Sequence, residues 1–277
     1  MTSPTPTLTP PKPRPIARWR WWIYLLTIGS YPLVLALTNV LSARRAPKSA
    51  DAELRLPTSV RGLLIVGAIE LASVLLFFGI AWLFARPSKD QLWLRWREGF
   101  GPIWRGALYS VGLRFLPVVA VIAVGMALGA LGVSPKAMEL WIKNHHPQTD
   151  GIADAVRAGS PLYRLVMLTF LSFVVAGFRE ELWRAATMRG LLEVAPRAWS
   201  IQTKNVVTVL ISAVVFGFGH WYQGLLGVGL TALIGMALGA ATLHHRSFWP
   251  SVIAHGFFDA TSFLMVIWSM DKLVKSG

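Results

Sequence analysis

The sequence predicts an all-α, polytopic membrane protein: a transmembrane helical bundle of about seven spans. Of its 277 residues, 54% are hydrophobic and only 14% are charged, and the mean hydropathy is +0.52. Soluble domains carry about 25% charged residues, so a water-exposed surface would be short of charge here. The 13 tryptophans and 14 phenylalanines are typical of aromatic belts at the two membrane interfaces.

Seven apolar stretches approach the roughly 20 residues that a helix needs to cross a bilayer. They are Trp21–Leu41, Leu63–Phe84, Ala107–Leu131, Leu162–Arg184, Val206–Gln223, Leu225–Leu243 and Pro250–Trp268. Six prolines within residues 1–15 predict a disordered N-terminal tail. The transmembrane domain is therefore expected over residues 16–277.

Two segments between the spans have patterns of their own. Lys89–Arg105 alternates tryptophan with arginine, which favours a helix lying in the membrane interface over the alternative of an ordinary basic loop. Ser134–Ser160 is expected to be a flexible loop that controls access to any site within the bundle.

The charge balance indicates the partners of the chain. The 27 lysines and arginines exceed the 13 acidic residues, for a net charge of +14. Because the basic residues lie mostly between apolar stretches, anionic lipid headgroups are the expected partner and nucleic acid is not. The sequence has no cysteine, which excludes disulfides, thiolate metal sites and thiol catalysis.

Ionisable residues inside predicted spans are costly to bury and mark functional sites. The first group is Gly177–Arg184, in which Glu180 and Arg184 are four residues apart on one helical face. Arg184 is therefore expected to orient Glu180, while Glu181 points about 100° away around the helix. The alternative is a salt bridge that anchors the helix end at the membrane boundary.

Two further groups lie on later spans. Phe216–His220 ends in an imidazole, for which a buried, structurally satisfied histidine is the alternative. In His255–Asp259 an imidazole and a carboxyl lie one helical turn apart on the same face. The alternative to a functional pair is a polar contact that only holds two helices together. Glu70 and Arg114 are expected to pair across the second and third spans. Since one aqueous cavity would meet the burial cost of all the site groups together, we expect it to be bordered by Glu180, Glu181, His220, His255 and Asp259.

In this order, the motifs resemble the CPBP family of intramembrane proteases, which includes CAAX prenyl protease 2 and bacteriocin-processing or immunity-associated relatives. The family signature is Glu-Glu-x-x-x-Arg, then Phe-x-x-x-His, then His-x-x-x-Asn/Asp, on successive transmembrane helices. Phe216–His220 and His255–Asp259 fit the second and third motifs. The resemblance covers about residues 160–265, which are expected to form the catalytic core.

The first motif departs from the family pattern, because Glu180-Glu181-Leu-Trp-Arg184 has one residue fewer before the arginine. Aligned on the arginine, Glu180 takes the place of the second family glutamate and Arg179 that of the first. Aligned on the glutamates, Glu180 is the first glutamate and the arginine is rotated around the helix. Glu180 belongs to the motif in both alignments and is the first candidate for the general base.

The resemblance implies hydrolysis of a peptide bond in a cavity within the membrane. A glutamate and His220 would activate water, and His255 and Asp259 would stabilise the tetrahedral oxyanion. In the metallopeptidase alternative, His220, His255 and Glu180 would hold a divalent metal such as zinc. The implied substrates are membrane-associated peptides, either CAAX-type and prenylated or bacteriocin-like, and the implied location is a multi-pass membrane protein of the cell membrane if the source is bacterial.

Two other functions stay open at this point. Arg179, beside the two glutamates, favours a catalytically impaired relative that acts as a membrane scaffold or immunity-type protein. A small proton-coupled transporter could use the same buried groups as a proton path, although the sequence has no pair of broken spans in matching halves. The sequence also lacks the His-Glu-x-x-His, Gly-x-Ser-Gly and Gly-x-Gly-Asp motifs of other membrane proteases.

Overall fold

The structure is a computed structural model that describes residues 16–35, 37, 56–96, 99–145 and 150–276. The described residues form helices and connecting turns, with no strand among them. The α-helices are α1 (Arg18–Gly29), α2 (Val60–Ala85), α3 (Gly101–Ala130), α4 (Pro135–His145), α5 (Asp150–Ala158), α6 (Pro161–Val166), α7 (Arg179–Val194), α8 (Ile201–Gly219), α9 (Gly224–His245) and α10 (Trp249–Ser276). A π-helix, Met167–Phe178, joins α6 to α7, and a 3₁₀ turn, Trp221–Gln223, joins α8 to α9.

Six helices in the described part of the chain are long and apolar enough to cross a membrane. They are α2, α3, the continuous helix Pro161–Val194, α8, Trp221–His245 and Trp249–Trp268. The chain is thus an integral, multi-pass membrane protein, and the predicted all-α bundle is confirmed. The first predicted span, Trp21–Leu41, corresponds to α1, which has 12 residues, and to a further helical stretch at residues 31–35. Residues 36 and 38–41 of that span lie outside the described residues, as does the whole predicted tail 1–15.

Polar residues at the helix ends define where several helices begin. The hydroxyls of Ser59, Ser160 and Ser200 accept hydrogen bonds from backbone N–H groups in the first turns of α2, α6 and α8. Each satisfies a donor that has no partner within the helix. Arg86 and Arg246 end α2 and α9 in the left-handed conformation, each with φ of 46°.

Two expectations for the connecting segments are wrong. Lys89–Arg105 does not form an interface helix: residues 89–93 are turns, and α3 begins only at Gly101. Leu92 and Trp93 are buried in the protein core rather than directed to lipid, and this burial outweighs the amphipathic pattern. Within Ser134–Ser160 the chain forms α4 and α5, and α5 is held in place by Val156, which is fully buried against Leu63 and Tyr163.

The π-helix sets the position of the residues that follow it. Its Ser172 hydroxyl donates to the carbonyl of Met167, five residues earlier, over 2.8 Å. The helix packs closely against α10 at Gly177, where a Cβ atom would lie 2.8 Å from the carbonyl oxygen of Val252. A glycine is needed for this approach, and it brings the start of α7 beside the segment of α10 that carries His255.

Candidate active site

A cavity of about 520 Å³ lies within the bundle and is lined by residues of α2, the π-helix, α7, α9 and α10, among others. Its lining is mostly apolar, with side chains such as Leu63, Val175, Leu230, Phe258 and Phe263. The ionisable side chains that border it are Glu70, Arg179, Glu180, His220, His255 and Asp259. Four of the five expected site residues thus face one space, and Glu181 is the exception.

The two carboxylate oxygens of Glu180 have different surroundings. Its Oε1 forms an ion pair with Nη2 of Arg179. Its Oε2 is buried, has no hydrogen-bond partner among the described residues, and lies 3.8 Å from Nε2 of His255. That distance is too long for a direct hydrogen bond, so Oε2 is the carboxylate oxygen that can accept a proton from a group in the cavity.

Glu181 contacts a different set of residues, behind the cavity wall. Its Oε1 pairs with Nη1 of Arg184 and accepts a hydrogen bond from Nδ1 of His255 over 3.0 Å. Glu181 is 1% exposed and Arg184 0% exposed, so both charges are removed from water and lipid. The Arg184–Glu181 pair therefore supports the ring of His255 from outside the cavity.

The expected pairing of Arg184 with Glu180 is wrong. On a helix both the third and the fourth neighbours of a residue lie within reach, so the spacing alone allows either glutamate. The guanidinium of Arg184 packs over the Phe216 ring of α8, 3.9 Å from its centre, and pairs with Glu181. Glu180 pairs instead with Arg179, through Oε1.

His220 ends α8, and its ring is oriented by its own helix. Nδ1 donates to the carbonyl oxygen of Phe216 over 3.0 Å. This hydrogen bond leaves Nε2 as the ring nitrogen that can act on a molecule in the cavity. The Phe216 ring packs against both imidazoles, with its centre 4.8 Å from that of His220 and 6.1 Å from that of His255.

His255 and Asp259 lie one turn apart on α10. Nε2 of His255 is 3.7 Å from Oδ2 of Asp259, so the two groups face the same point without a direct hydrogen bond. Since Nδ1 is engaged by Glu181, Nε2 is the nitrogen directed towards Glu180 and Asp259. His255 is 7% exposed, and its orientation is set by these contacts.

The expected Glu70–Arg114 pair is also wrong. Glu70 of α2 pairs with Nη1 of Arg179. Arg114 instead donates to the carbonyl oxygen of Phe258 over 2.6 Å and to the hydroxyl of Thr261. Carbonyl and hydroxyl groups of α10 thus accept the hydrogen bonds of the Arg114 guanidinium, in place of the predicted carboxylate of Glu70. Glu70 borders the cavity. The sequence placed it on the second predicted span, as observed, but predicted Arg114 as its partner in place of Arg179.

The candidate metal ligands do not have the arrangement of a metal site. In the described part of the chain, no three His, Asp or Glu side chains converge as a group that could hold a metal ion. His220, His255 and Glu180 border one cavity, but one oxygen of Glu180 is engaged by Arg179 and Nδ1 of His255 by Glu181. The residues present do not fit a divalent cation.

Comparison with known proteins identifies the segment that carries this site. Residues 161–261 match the family model of Type II CAAX prenyl endopeptidase Rce1-like. The match confirms the resemblance to intramembrane proteases of the CPBP family over this segment, and the matched family is one of proteases. It includes Arg179, both glutamates, both histidines and Asp259, whereas Glu70 lies outside it. No curated protein and no solved structure matches the chain.

Proposed function

We propose that this protein is an intramembrane endopeptidase that hydrolyses a peptide bond of a membrane-associated substrate. The observation that carries the proposal is that Glu180, His220, His255 and Asp259 border one cavity inside the bundle. All four belong to the segment that matches an endopeptidase family. Carboxylates and imidazoles that share a cavity are the groups that hydrolysis by an activated water requires.

Glu180 is the general base of the proposed reaction. A water molecule at Oε2 gives a proton to Glu180 as its oxygen attacks the substrate carbonyl carbon. The tetrahedral intermediate then breaks at the C–N bond, and the protonated Glu180 returns the proton to the departing nitrogen. The products are a carboxylic acid and an amine; transfer of the acid proton to the amine gives a carboxylate and an ammonium group, so atoms and charge balance. His220, through Nε2, holds the attacking water in line with the carbonyl.

His255 and Asp259 stabilise the oxyanion of the intermediate. For Nε2 of His255 to donate to the oxyanion, both ring nitrogens must carry protons, since Nδ1 already donates to Glu181. Asp259 contributes directly only in its protonated form; as a carboxylate it holds the neighbouring imidazole. Donors that are fixed before the reaction lower the energy of the developing charge without reorganisation.

The cavity lining restricts the substrate to a peptide with apolar side chains. Outside the ionisable cluster the lining consists mainly of aliphatic and aromatic residues. Burying apolar surface there contributes about 25 cal/mol per Å², whereas a charged side chain would lack a partner. Such substrates include CAAX-type prenylated proteins and bacteriocin-like peptides.

A second candidate function is a membrane scaffold or immunity-type protein without catalysis. The observation that favours it is the ion pair between Arg179 and Glu180, because a cation bound to the base opposes proton uptake. Hydrolysis accounts better for the position of Glu180, which borders the cavity with Oε2 3.8 Å from Nε2 of His255. Glu181, whose Oε2 is likewise buried without a hydrogen-bond partner among the described residues, lies outside the cavity lining.

Turnover of a membrane-peptide library by purified protein in liposomes separates the two candidates. The wild type is expected to cleave members with apolar sequences, and Glu180→Gln is expected to reduce the rate by about 10²-fold or more, as for loss of a general base. Glu193→Gln serves as a control, since Glu193 lies on the same helix, paired with Arg189, and does not border the cavity. Absence of cleavage by the folded wild type, or full activity of Glu180→Gln, would overturn the proposal.

A further inference from the structure

Arg179 is bound to two carboxylates on two different helices. Nη1 pairs with Oε2 of Glu70 on α2, and Nη2 pairs with Oε1 of Glu180 on its own helix. The side chain of Arg179 is 12% exposed and that of Glu180 is 14% exposed. All three residues border the cavity. The guanidinium thus forms a bridge inside the membrane domain, with the proposed base at one end of it.

We propose that Glu70 and Arg179 are positioning residues, which together fix Glu180 so that its Oε2 faces the cavity. The inference rests on the proposed function, since it assigns how the base of that reaction is oriented. It adds a residue of α2 to a site whose other members all lie in the matched segment. Neither residue is assigned contact with the substrate.

The helix geometry explains why Arg179 needs an anchor. Consecutive residues on a helix point about 100° apart, so Arg179 reaches its neighbour Glu180 only if its side chain bends back across the helix surface. A planar guanidinium offers two separate pairs of N–H donors. Glu70 binds Nη1 of the guanidinium, and this contact holds Nη2 against Oε1 of Glu180.

The same contact leaves one oxygen of the base available. With Oε1 engaged, the carboxyl group of Glu180 cannot rotate freely, and Oε2 stays on the side of His255, 3.8 Å from Nε2. Without Glu70, Arg179 could donate from both nitrogens to both oxygens of Glu180 and close this position. Without Arg179, the carboxyl group would lose its fixed orientation and two carboxylates would face each other.

A purely structural role would have a different consequence. The pair would then hold α2 against α7, and its loss would lower stability and substrate turnover together. The chain contains a matched control: Arg189 and Glu193 also form an ion pair on α7, and neither borders the cavity. Loss of that pair removes a comparable interaction away from Glu180.

The kinetic experiment compares Glu70→Gln, Arg179→Met, the double variant and Arg179→Lys in liposomes, at matched amounts of folded protein. We expect each single change to lower kcat by about 10- to 100-fold with KM nearly unchanged, the scale for a misplaced catalytic group. The double variant should be no slower than the slower single variant, because both act through Glu180. Arg179→Lys, which keeps one charged donor, should recover part of the lost rate.

Labelling provides a readout that needs no substrate. Dicyclohexylcarbodiimide reacts with protonated carboxyl groups in apolar surroundings, and mass spectrometry locates the adduct. We expect Glu180 to be protected in the wild type and in Glu70→Gln, where Arg179 remains bound to it, and to be labelled at least fivefold more in Arg179→Met. Glu180→Gln identifies the labelled position, and Arg189→Met should leave the labelling as in the wild type.

The outcomes separate this inference from the proposed function. If the wild type cleaves peptides and Glu180→Gln does not, but Glu70→Gln and Arg179→Met keep full kcat, the positioning role is overturned and the endopeptidase stands. A fall in kcat that Arg189→Met and Glu193→Gln match, in step with lost thermal stability, would also overturn it. If no peptide is cleaved, the proposed function fails, and unchanged Glu180 labelling in Arg179→Met would then overturn the pairing itself.

Discussion

The two adjacent glutamates of α7 contact different groups. Glu180 borders the cavity with one oxygen free of hydrogen bonds among the described residues. Glu181 lies outside the cavity lining and pairs with Arg184 and His255. The sequence identified both residues, but it could not assign their partners because Arg184 lies within helical reach of each. The observed position of Arg184 includes a contact with Phe216, a residue of another helix, which helical spacing does not encode.

Glu181→Gln is predicted to destabilise the fold more than Glu180→Gln does. The first change leaves Arg184, which is 0% exposed, as a buried cation without its carboxylate partner, at a cost of about 3–5 kcal/mol. After the second change Arg179 keeps its pair with Glu70. Thermal unfolding of the purified variants in detergent measures the difference.

Replacement of Arg184 and Glu181 together provides the control for that prediction. An apolar double variant of similar volume should recover much of the stability lost in Glu181→Gln, because no unpaired charge remains. Equal unfolding temperatures for Glu180→Gln and Glu181→Gln would contradict the assignment of the two glutamates. It would mean that the Glu181–Arg184 pair does not contribute to stability.

At the element scale, the π-helix Met167–Phe178 was not predicted from the sequence. Its 12 residues are almost all apolar, and an apolar segment satisfies the length and hydropathy of a span in either helical form. The shortened spacing before Arg184 gave only an indirect signal that the helix was irregular. The two connecting segments, Lys89–Arg105 and Ser134–Ser160, were predicted wrongly because the burial of Trp93 and Val156 depends on contacts with residues distant in sequence.

Gly177→Ala is predicted to lower stability by about 1–3 kcal/mol, the range for overpacking, and to reduce turnover. Its Cβ would lie 2.8 Å from the backbone carbonyl oxygen of Val252, which cannot move without shifting α10 and with it His255. Gly125→Ala on α3 is the matched control, since a Cβ there meets nothing within 4 Å. Thermal unfolding and peptide cleavage are measured on the same preparations.

The reverse order of effects would count against this account of the helix contact. If Gly125→Ala destabilised as much as Gly177→Ala, the cost would come from the span in general rather than from the approach of the π-helix to α10. If the Gly177→Ala variant had the unfolding temperature and the cleavage rate of the wild type, the position of His255 would not depend on this contact.

At the scale of the whole molecule, hydrogen bonds between distant segments define one end of the bundle. Arg18 donates to the carbonyls of Val194 and Ala195, which joins the start of α1 to the end of α7. Trp249 donates through its indole to the carbonyl of Leu94 over 2.9 Å, which joins the start of α10 to the segment before α3.

The cavity extends towards the other end of the bundle. Leu56, Ile152 and Ala153 line it, and Tyr163 donates to the carbonyl of Pro57 over 3.0 Å. The sequence predicted a cavity within late spans and a flexible loop, Ser134–Ser160, that controls access to it, but not that this segment would form α5 in the cavity wall. That contribution follows from the burial of Val156 against α2 and the π-helix, which no local pattern encodes.

The position of α5 predicts where a substrate enters. The chain has no cysteine, so a single Ile152→Cys can be modified selectively with a bulky, polar maleimide. A group at this position would lie in the cavity wall, and we expect the modification to reduce peptide cleavage by about tenfold or more, as for a blocked substrate path. Lys136→Cys on α4, an exposed position outside the cavity lining, should be modified without loss of activity. Full activity of the modified Ile152→Cys protein would mean that the peptide enters from the lipid between helices, and that the α5 side of the cavity is a wall rather than an entrance.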